Sequence, residues 1–281
     1  MSEGQATPAV AGEQATRNLA MRVAAALVLA PLAIAIAYAG GWLWTMLVTL
    51  TAIGLYFEWL TVVGARTPRL VMAGAAALAM AGLLLATGRI GASILVLVVG
   101  LAGVIVVSPE RRLWTATGFC YAAAAEVASV LVRHDQAHGF VALILILLVV
   151  WVTDIGGYFA GRGIGGPKLW PRVSPKKTWA GAIGGFVASL AIAGAFAALG
   201  LAKTVPVVLV GAALSVASQL GDLFESAVKR RFGVKDSSHL IPGHGGIMDR
   251  LDGFVAAVVV AAIFGLLRGG IDGVGRGIMV W

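Results

Sequence analysis

Charged residues are scarce in this sequence. They make up 12% of its 281 residues, whereas about 25% is usual in soluble domains. Hydrophobic residues make up 59% of the chain, and its mean hydropathy is +0.94. This composition excludes an ordinary soluble protein and predicts an integral membrane protein. No internal repeat is recognisable, and the short polar ends leave no room for a soluble domain.

Cysteine is nearly absent as well. Cys120 is the single cysteine, which excludes an intrachain disulfide and a thiolate metal site built within one chain. It lies in an apolar run, where a role as a small packing residue is expected. No catalytic triad based on serine or cysteine is indicated either.

Long apolar runs, by contrast, fill the chain. Nine are long enough to cross a hydrocarbon core about 30 Å thick, so the predicted fold class is all-α, a polytopic membrane protein. The runs lie near 22–39, 42–63, 70–87, 90–107, 113–132, 139–160, 180–200, 204–224 and 250–267.

The basic residues predict an orientation. With a cytoplasmic N-terminus, most of the 21 Lys and Arg residues fall in loops on the cytoplasmic side, above all in 161–179 and 225–249. The positive-inside rule therefore favours nine helices with the N-terminus inside and the C-terminus outside. The alternative is a signal peptide cleaved after "AYA" at 37–39, which would leave the later orientation unchanged.

Acidic residues within the apolar runs are few, and their cost in lipid makes each a candidate site residue. Glu58 and Glu126 stand alone in their runs, which favours a structural role such as pairing with an Arg of another helix. Asp154, Asp222 and Glu225 lie near the predicted cytoplasmic ends of their helices, beside the basic loops.

The eighth run carries a polar stripe at helical spacing. Such a stripe lies on one face, which must contact protein or water. It could form a seam between helices or the wall of a polar cavity open to the cytoplasm, and its position beside the charged loop favours the cavity. Its members are Ser215, Ser218, Asp222, Glu225, Ser226 and Lys229.

The densest charge is in "KRRFGVKDSSHLIPGHGGIMDRLDG", residues 229–253. Asp249 and Asp252 are three residues apart and share a helical face. Together with Asp222 they could provide oxygen ligands for Mg²⁺, which takes one or two carboxylates and completes its shell with water and phosphates. Alternatively, the acids cap the helix. The glycines beside His244 allow backbone N–H groups to approach an anion, although His244 fits a loop hydrogen bond equally well.

The other basic loop, "GRGIGGPKLWPRVSPKKTWAG", covers residues 161–181. Ser174, Lys176 and Lys177 precede a helix N-terminus, an arrangement suited to a polyphosphate. Basic residues at this position also follow from membrane orientation and anionic head groups.

The two loops and the acids together predict metal-assisted phosphoryl or nucleotidyl transfer between a lipid-phase and a water-phase substrate. One alternative is a transporter or flippase for an anionic lipid or a phosphorylated substrate, but its expected inverted repeats are not apparent. Another is a phosphotransferase that consumes a CDP-lipid.

Residues 226–252, "SAVKRRFGVKDSSHLIPGHGGIMDRLD", resemble the signature of the phosphatidate cytidylyltransferases, or CDP-diacylglycerol synthases. The segments "GDLFES" at 221–226, "DIGGYFAGR" at 154–162 and "SPKKTW" at 174–179 are also similar to that family. The resemblance covers residues 150–253. Ala180 and Gly253 depart from it, standing where the family has an acid and a serine.

The resemblance implies that CTP and phosphatidate react to give CDP-diacylglycerol and pyrophosphate with Mg²⁺, and it leaves a second ion open. It implies Asp222 and Asp249 as metal ligands, supported by Asp252 and Asp236. Phosphatidate is already ionised near pH 7, so no general base is needed, and His244 would position a phosphate. The remaining implied site residues contact phosphates or substrate: Lys229, Arg230, Lys235, Arg250, Lys176, Lys177, Ser174, Asp154 and Ser226.

The predicted organisation is a polar tail, a membrane scaffold, a membrane catalytic region and a second tail. We expect an inner-membrane, multi-pass protein whose site faces the cytoplasm, with CTP, phosphatidate and membrane lipid as partners and no nucleic acid. A homo-oligomer is left open. The four parts are residues 1–18, 19–138, 139–268 and 269–281.

Overall fold

The computed structural model describes residues 31–108, 110–238 and 245–281. Within them the chain is helical except for one hairpin, β1 Lys168–Trp170 and β2 Ser174–Thr178. The described part of α1 covers residues 31–39. The later helices are α2 Gly41–Val62, α3 Pro68–Ala86, α4 Ile90–Val107, α5 Arg112–His134, α6 Gly139–Gly163, α7 Trp179–Ala198, α8 Thr204–Arg231, α9 Met248–Gly269 and α10 Val274–Met279.

Helices α2 to α9 are each long and apolar enough to cross a membrane, which gives eight candidate spans among the described residues. Each lies on one of the predicted apolar runs, and the all-α class is confirmed. The first predicted run, 22–39, lies mostly outside the described residues. A ninth span therefore stays a prediction.

The loop predicted at 161–179 contains the antiparallel hairpin, in which Lys168 pairs with Thr178 and Trp170 with Ser174. Thr178 ends the hairpin and caps α7, because its hydroxyl accepts a hydrogen bond from Gly181 N at 3.1 Å. The side chain of Lys176 is exposed, whereas that of Lys177 is partly buried.

Helices α6 and α7 contact each other through backbone. A Cβ added at Gly185 of α7 would stand 2.3 Å from Thr153 O of α6, and one at Gly181 would stand 2.8 Å from Gly157 O. Only glycine allows helices to approach this closely. The contact fixes α6, which carries Asp154, against the helix that follows the hairpin.

Helices α8 and α9 are also joined by glycines. A Cβ at Gly221 would stand 2.6 Å from Asp252 O, and a Cβ at Gly253 would stand 2.5 Å from Ser218 Oγ. The departure at Gly253 thus has a packing role in this chain. The contact also brings Asp222 and Asp252 to the same region.

At the opposite end of the bundle, Asp135 joins the α5–α6 turn to α10. Its carboxylate accepts hydrogen bonds from Ala137 N and His138 N, both at 3.0 Å, and from Arg276 N at 2.6 Å. Burial by itself would raise the pKa of Asp135, but these backbone donors and the nearby His138 lower that pKa below its usual value.

Candidate active site

Lys177 and Asp222 form an ion pair between the hairpin and α8. Ser226, one turn further along α8, donates to Asp222 Oδ1 at 3.3 Å. The polar stripe therefore continues to the hairpin at this point.

A cavity of about 670 Å³, here called the polar chamber, surrounds this pair. Residues of α6, the hairpin, α7 and α8 line it. Its charged lining residues are Asp154, Arg162, Lys176, Lys177 and Asp222. Of the predicted stripe on α8, Asp222 lines this cavity, whereas Ser215 is hydrogen-bonded to Thr153 of α6 and Lys229 to Asp249 of α9. The stripe therefore forms a seam between helices that reaches the cavity at Asp222.

The carboxylates of Asp154 on α6, Asp222 on α8 and Asp252 on α9 interact electrostatically with one another, and Lys177 interacts with Asp154 and Asp252. The chemistry of this donor set fits a divalent cation, since Mg²⁺ needs only one or two carboxylates with water and phosphate oxygens. Among the described residues, no three His, Cys, Asp or Glu side chains form a preassembled metal-binding group.

A second charged cluster lies beside the chamber. The ammonium of Lys229 lies 2.8 Å from Glu225 Oε1 and 2.6 Å from Asp249 Oδ1. Asp249 Oδ2 also accepts from Ser237 N and Gly246 N, both at 3.0 Å, and it lies 3.0 Å from Ser237 Oγ, whose single proton it shares with Glu58. Lys229 is almost fully buried, so it holds two carboxylates rather than facing open solvent.

Asp249 and Asp252, predicted to share a helical face, have different partners. Asp249 contacts Lys229 and the residues on either side of the preceding loop, whereas Asp252 belongs with Asp154 and Asp222. The difference arises because Asp249 is in the first turn of α9, where backbone N–H groups of the loop are within reach.

The other predicted site residues are distributed around these clusters. Arg230 Nε donates to Val173 O at 3.4 Å and so links α8 to the hairpin. Lys235 and Asp236 are exposed on the segment after α8, and Ser174 begins β2. His244 lies outside the described residues.

Sequence reasoning missed Gln219 and Tyr158 as lining residues of the polar chamber. Gln219 Nε2 donates to Ala182 O at 3.3 Å, and the Tyr158 hydroxyl accepts from Arg162 Nη1 at 2.9 Å. Gln219 lies four residues after Ser215 and three before Asp222, so the spacing of the stripe could have identified it.

A second cavity, here called the apolar cavity, has a volume of about 270 Å³ and lies between α1, α2, α5, α6 and α9. Most of its lining is aliphatic or aromatic. Two charged residues, Asp154 and Arg250, also line it. Because Asp154 lines the polar chamber as well, the two cavities adjoin at this residue.

Glu58 and Glu126 do not pair with an Arg among the residues that the structure describes. Glu126 accepts a hydrogen bond from Thr49 Oγ1 at 2.7 Å, within the membrane-spanning bundle. Glu58 accepts hydrogen bonds from residues on both sides of the loop that precedes α9.

Known proteins resemble this chain, over most of its length in some cases and over about half of it in others. A family model described as the cytidylyltransferase family matches residues 20–267. The phosphatidate cytidylyltransferase of Brucella suis biovar 1 (strain 1330) is 40% identical over 259 residues, which cover 89% of this chain and 94% of that protein. The phosphatidate cytidylyltransferase of Haemophilus influenzae is 44% identical over 137 residues, covering 47% and 48% of the two chains. That of Bacillus subtilis is 43% identical over 129 residues, covering 44% and 47%.

Proposed function

This chain belongs to the cytidylyltransferase family, and we propose that the polar chamber is where it joins CTP to phosphatidate. The products are CDP-diacylglycerol and pyrophosphate. A phosphate oxygen of phosphatidate attacks the α-phosphorus of CTP, and the bond to the pyrophosphate leaving group breaks as the new bond forms. The printed names of the relatives support this reaction.

The observation that carries the location is the junction of two unlike cavities. One substrate is a charged nucleotide and the other a lipid, and Asp154 borders both a polar chamber and an apolar cavity. The polar chamber fits CTP, and the apolar cavity fits an acyl chain. The phosphates of the two substrates would meet beside Asp154.

Cations on both sides of this junction suit the two phosphates. Lys176, Lys177 and Arg162 line the polar chamber and would bind the polyphosphate of CTP. Arg250 lines the apolar cavity and would bind the phosphate of phosphatidate. Neutralising these charges lowers the repulsion between an anionic nucleophile and an anionic electrophile.

The carboxylates would hold Mg²⁺. We propose Asp222 and Asp249 as its ligands, with Asp252 in support, because α8 and α9 pack together where these acids lie. Mg²⁺, when bound, supplies positive charge at the transferring phosphate. Lys229 holds Asp249 in place, and no protein base is required because phosphatidate is ionised near pH 7.

The site would face the cytoplasm at the inner membrane. The hairpin and the segment after α8 carry many of the Lys and Arg residues, which the positive-inside rule places on that side.

Transfer of label from CTP to lipid tests the function. The purified protein with CTP labelled at the α-phosphate, phosphatidate and Mg²⁺ should place the label in an organic-extractable lipid. Omitting phosphatidate should leave it in water, as would a transporter or an enzyme that consumes CDP-lipids. Omitting Mg²⁺ tests the metal requirement separately.

A further inference from the structure

Glu58 is a fully buried carboxylate on α2, far in sequence from the catalytic helices. It accepts four hydrogen bonds. Ser238 Oγ and Ile247 N donate to Oε1 at 2.6 and 2.9 Å, and Ser237 Oγ and Met248 N donate to Oε2 at 2.9 and 2.8 Å. One side chain therefore joins both sides of the loop that precedes α9.

These hydrogen bonds cap the N-terminus of α9, which has no capping side chain of its own. The N-cap residue of α9 is Ile247, which has no side-chain acceptor, and no side-chain cap is formed. The first N–H groups of a helix need acceptors, and a negative charge there is favoured by the helix dipole. Glu58 provides the acceptors from another helix. A carboxylate has about four acceptor sites, enough for these four contacts.

The same contacts reach Asp249. Ser237 Oγ lies 2.9 Å from Glu58 Oε2 and 3.0 Å from Asp249 Oδ2, so one hydroxyl contacts both carboxylates. Gly246 N, next to the N–H of Ile247, donates to Asp249 at 3.0 Å. Any displacement of these residues from Glu58 would change the position of Asp249.

Gly246 is closely packed against Ser237 and Glu58. A Cβ added at Gly246 would stand 1.9 Å from Ser237 Oγ and 2.5 Å from Glu58 Oε2. A larger residue at position 246 would displace the hydroxyl of Ser237 or the carboxylate of Glu58.

We propose that Glu58 is a positioning residue for the transfer reaction: it fixes both sides of the loop and thereby holds Asp249 at the site. This rests on the proposed function only in that Asp249 belongs to that site. Glu58 is fully buried, and its effect passes through Ser237, Gly246 and the first turn of α9.

The test compares Glu58→Gln with Glu126→Gln. Both replace a buried carboxyl group on a membrane helix by an amide, but Glu126 contacts Thr49 and none of the loop residues named here. Glu58→Gln should lower kcat by about tenfold or more, the range for loss of a residue that orients a metal ligand, and should raise the Mg²⁺ concentration needed for half activity. KM for CTP should change only a few-fold. Glu58→Asp, which keeps the charge, should recover part of the loss, and Glu126→Gln should retain parental kcat.

Hydrogen exchange provides a second readout that needs no activity. The amides of Ile247 and Met248 should exchange faster in Glu58→Gln than in the parent or in Glu126→Gln. If Glu58→Gln does not accumulate, Ser238→Ala removes one of the four donors and is measured in the same ways. A parental kcat together with unchanged hydrogen exchange of Ile247 and Met248 would overturn the proposal, whether or not the melting temperature falls. An inactive parent would instead count against the proposed function, and the exchange comparison would still decide the role of Glu58 in the loop.

Discussion

Lys177 of the hairpin is in direct contact with Asp222 of α8. The sequence predicts the first as a phosphate-binding residue and the second as a metal ligand, and the ion pair shows that the two positions are adjacent. The ammonium has further N–H donors, so Lys177 can contact a phosphate of the nucleotide while it stays paired with Asp222. This contact distinguishes it from Lys176, whose side chain is exposed.

Lys177→Gln should raise KM for CTP by about tenfold or more, equivalent to about 1.4 kcal/mol of lost charge-assisted contact. Lys168→Gln is the matched control, because it removes an exposed lysine from the same hairpin but not from the chamber lining. Steady-state kinetics with CTP varied measures both. Equal effects in the two variants would assign the hairpin charges to general membrane attraction.

Asp222→Asn and Asp249→Asn should each lower kcat by at least about a hundredfold if both carboxylates stabilise charge at the transferring phosphate. Asn keeps the shape and can still accept a hydrogen bond at a helix start, so a capping role predicts only a few-fold loss. The double variant should lose little more than either single one, because residues that act as a unit are not additive. Asp272→Asn, on an exposed turn before α10, controls for loss of an acid.

Filling the apolar cavity should weaken the binding of phosphatidate and leave the binding of CTP unchanged. Ala52 of α2 lines this cavity, and Ala52→Leu should raise KM for phosphatidate several-fold, more for long acyl chains than for short ones. KM for CTP should stay near that of the parent. Ala92→Leu, at an exposed position on α4, adds the same volume elsewhere, and an equal effect there would remove the cavity from lipid binding.

Cysteine labelling tests the orientation in a Cys120→Ser background. Arg172→Cys in the hairpin turn and Lys235→Cys after α8 replace exposed residues, whereas Ser237 is buried and unsuitable. A membrane-impermeant thiol reagent should block both in inverted membranes but not in right-side-out ones. Asp272→Cys should show the opposite pattern, and labelling of all three from one face would contradict the topology.

Asp135 should make the free energy of unfolding depend on pH in the acid range. Its folded-state pKa is lowered, so its contribution is present above the usual pKa of about 4 and is lost as the pH falls through the folded-state pKa. Asp135→Asn should lose about 1–3 kcal/mol of unfolding free energy at neutral pH, because an amide group replaces an acceptor for backbone N–H donors. Thermal unfolding in detergent should show the parent and variant converging below about pH 4. A difference that persists unchanged into acid would contradict this origin.

The membrane spans were predictable from the sequence because long apolar runs have few alternatives in water or lipid. The 161–179 hairpin was not, because strands of three and five residues leave no periodic signal among Gly, Pro and Lys. The sequence predicted that Asp222 and Lys177 belong to one site. It could not predict that they contact each other, because that contact depends on how α8 packs against the hairpin. Glu58 shows the same limit: its partners are 179 to 190 residues away, and nothing in its own run indicates them.

The backbone contact between α6 and α7 also limits where a lipid can enter the bundle. Gly185 meets Thr153 O and Gly181 meets Gly157 O so closely that an acyl chain has no passage through this seam. The apolar cavity lies along another face of α6, bordered by Val150. A lipid substrate would then reach Asp154 along that face of α6 and not between α6 and α7.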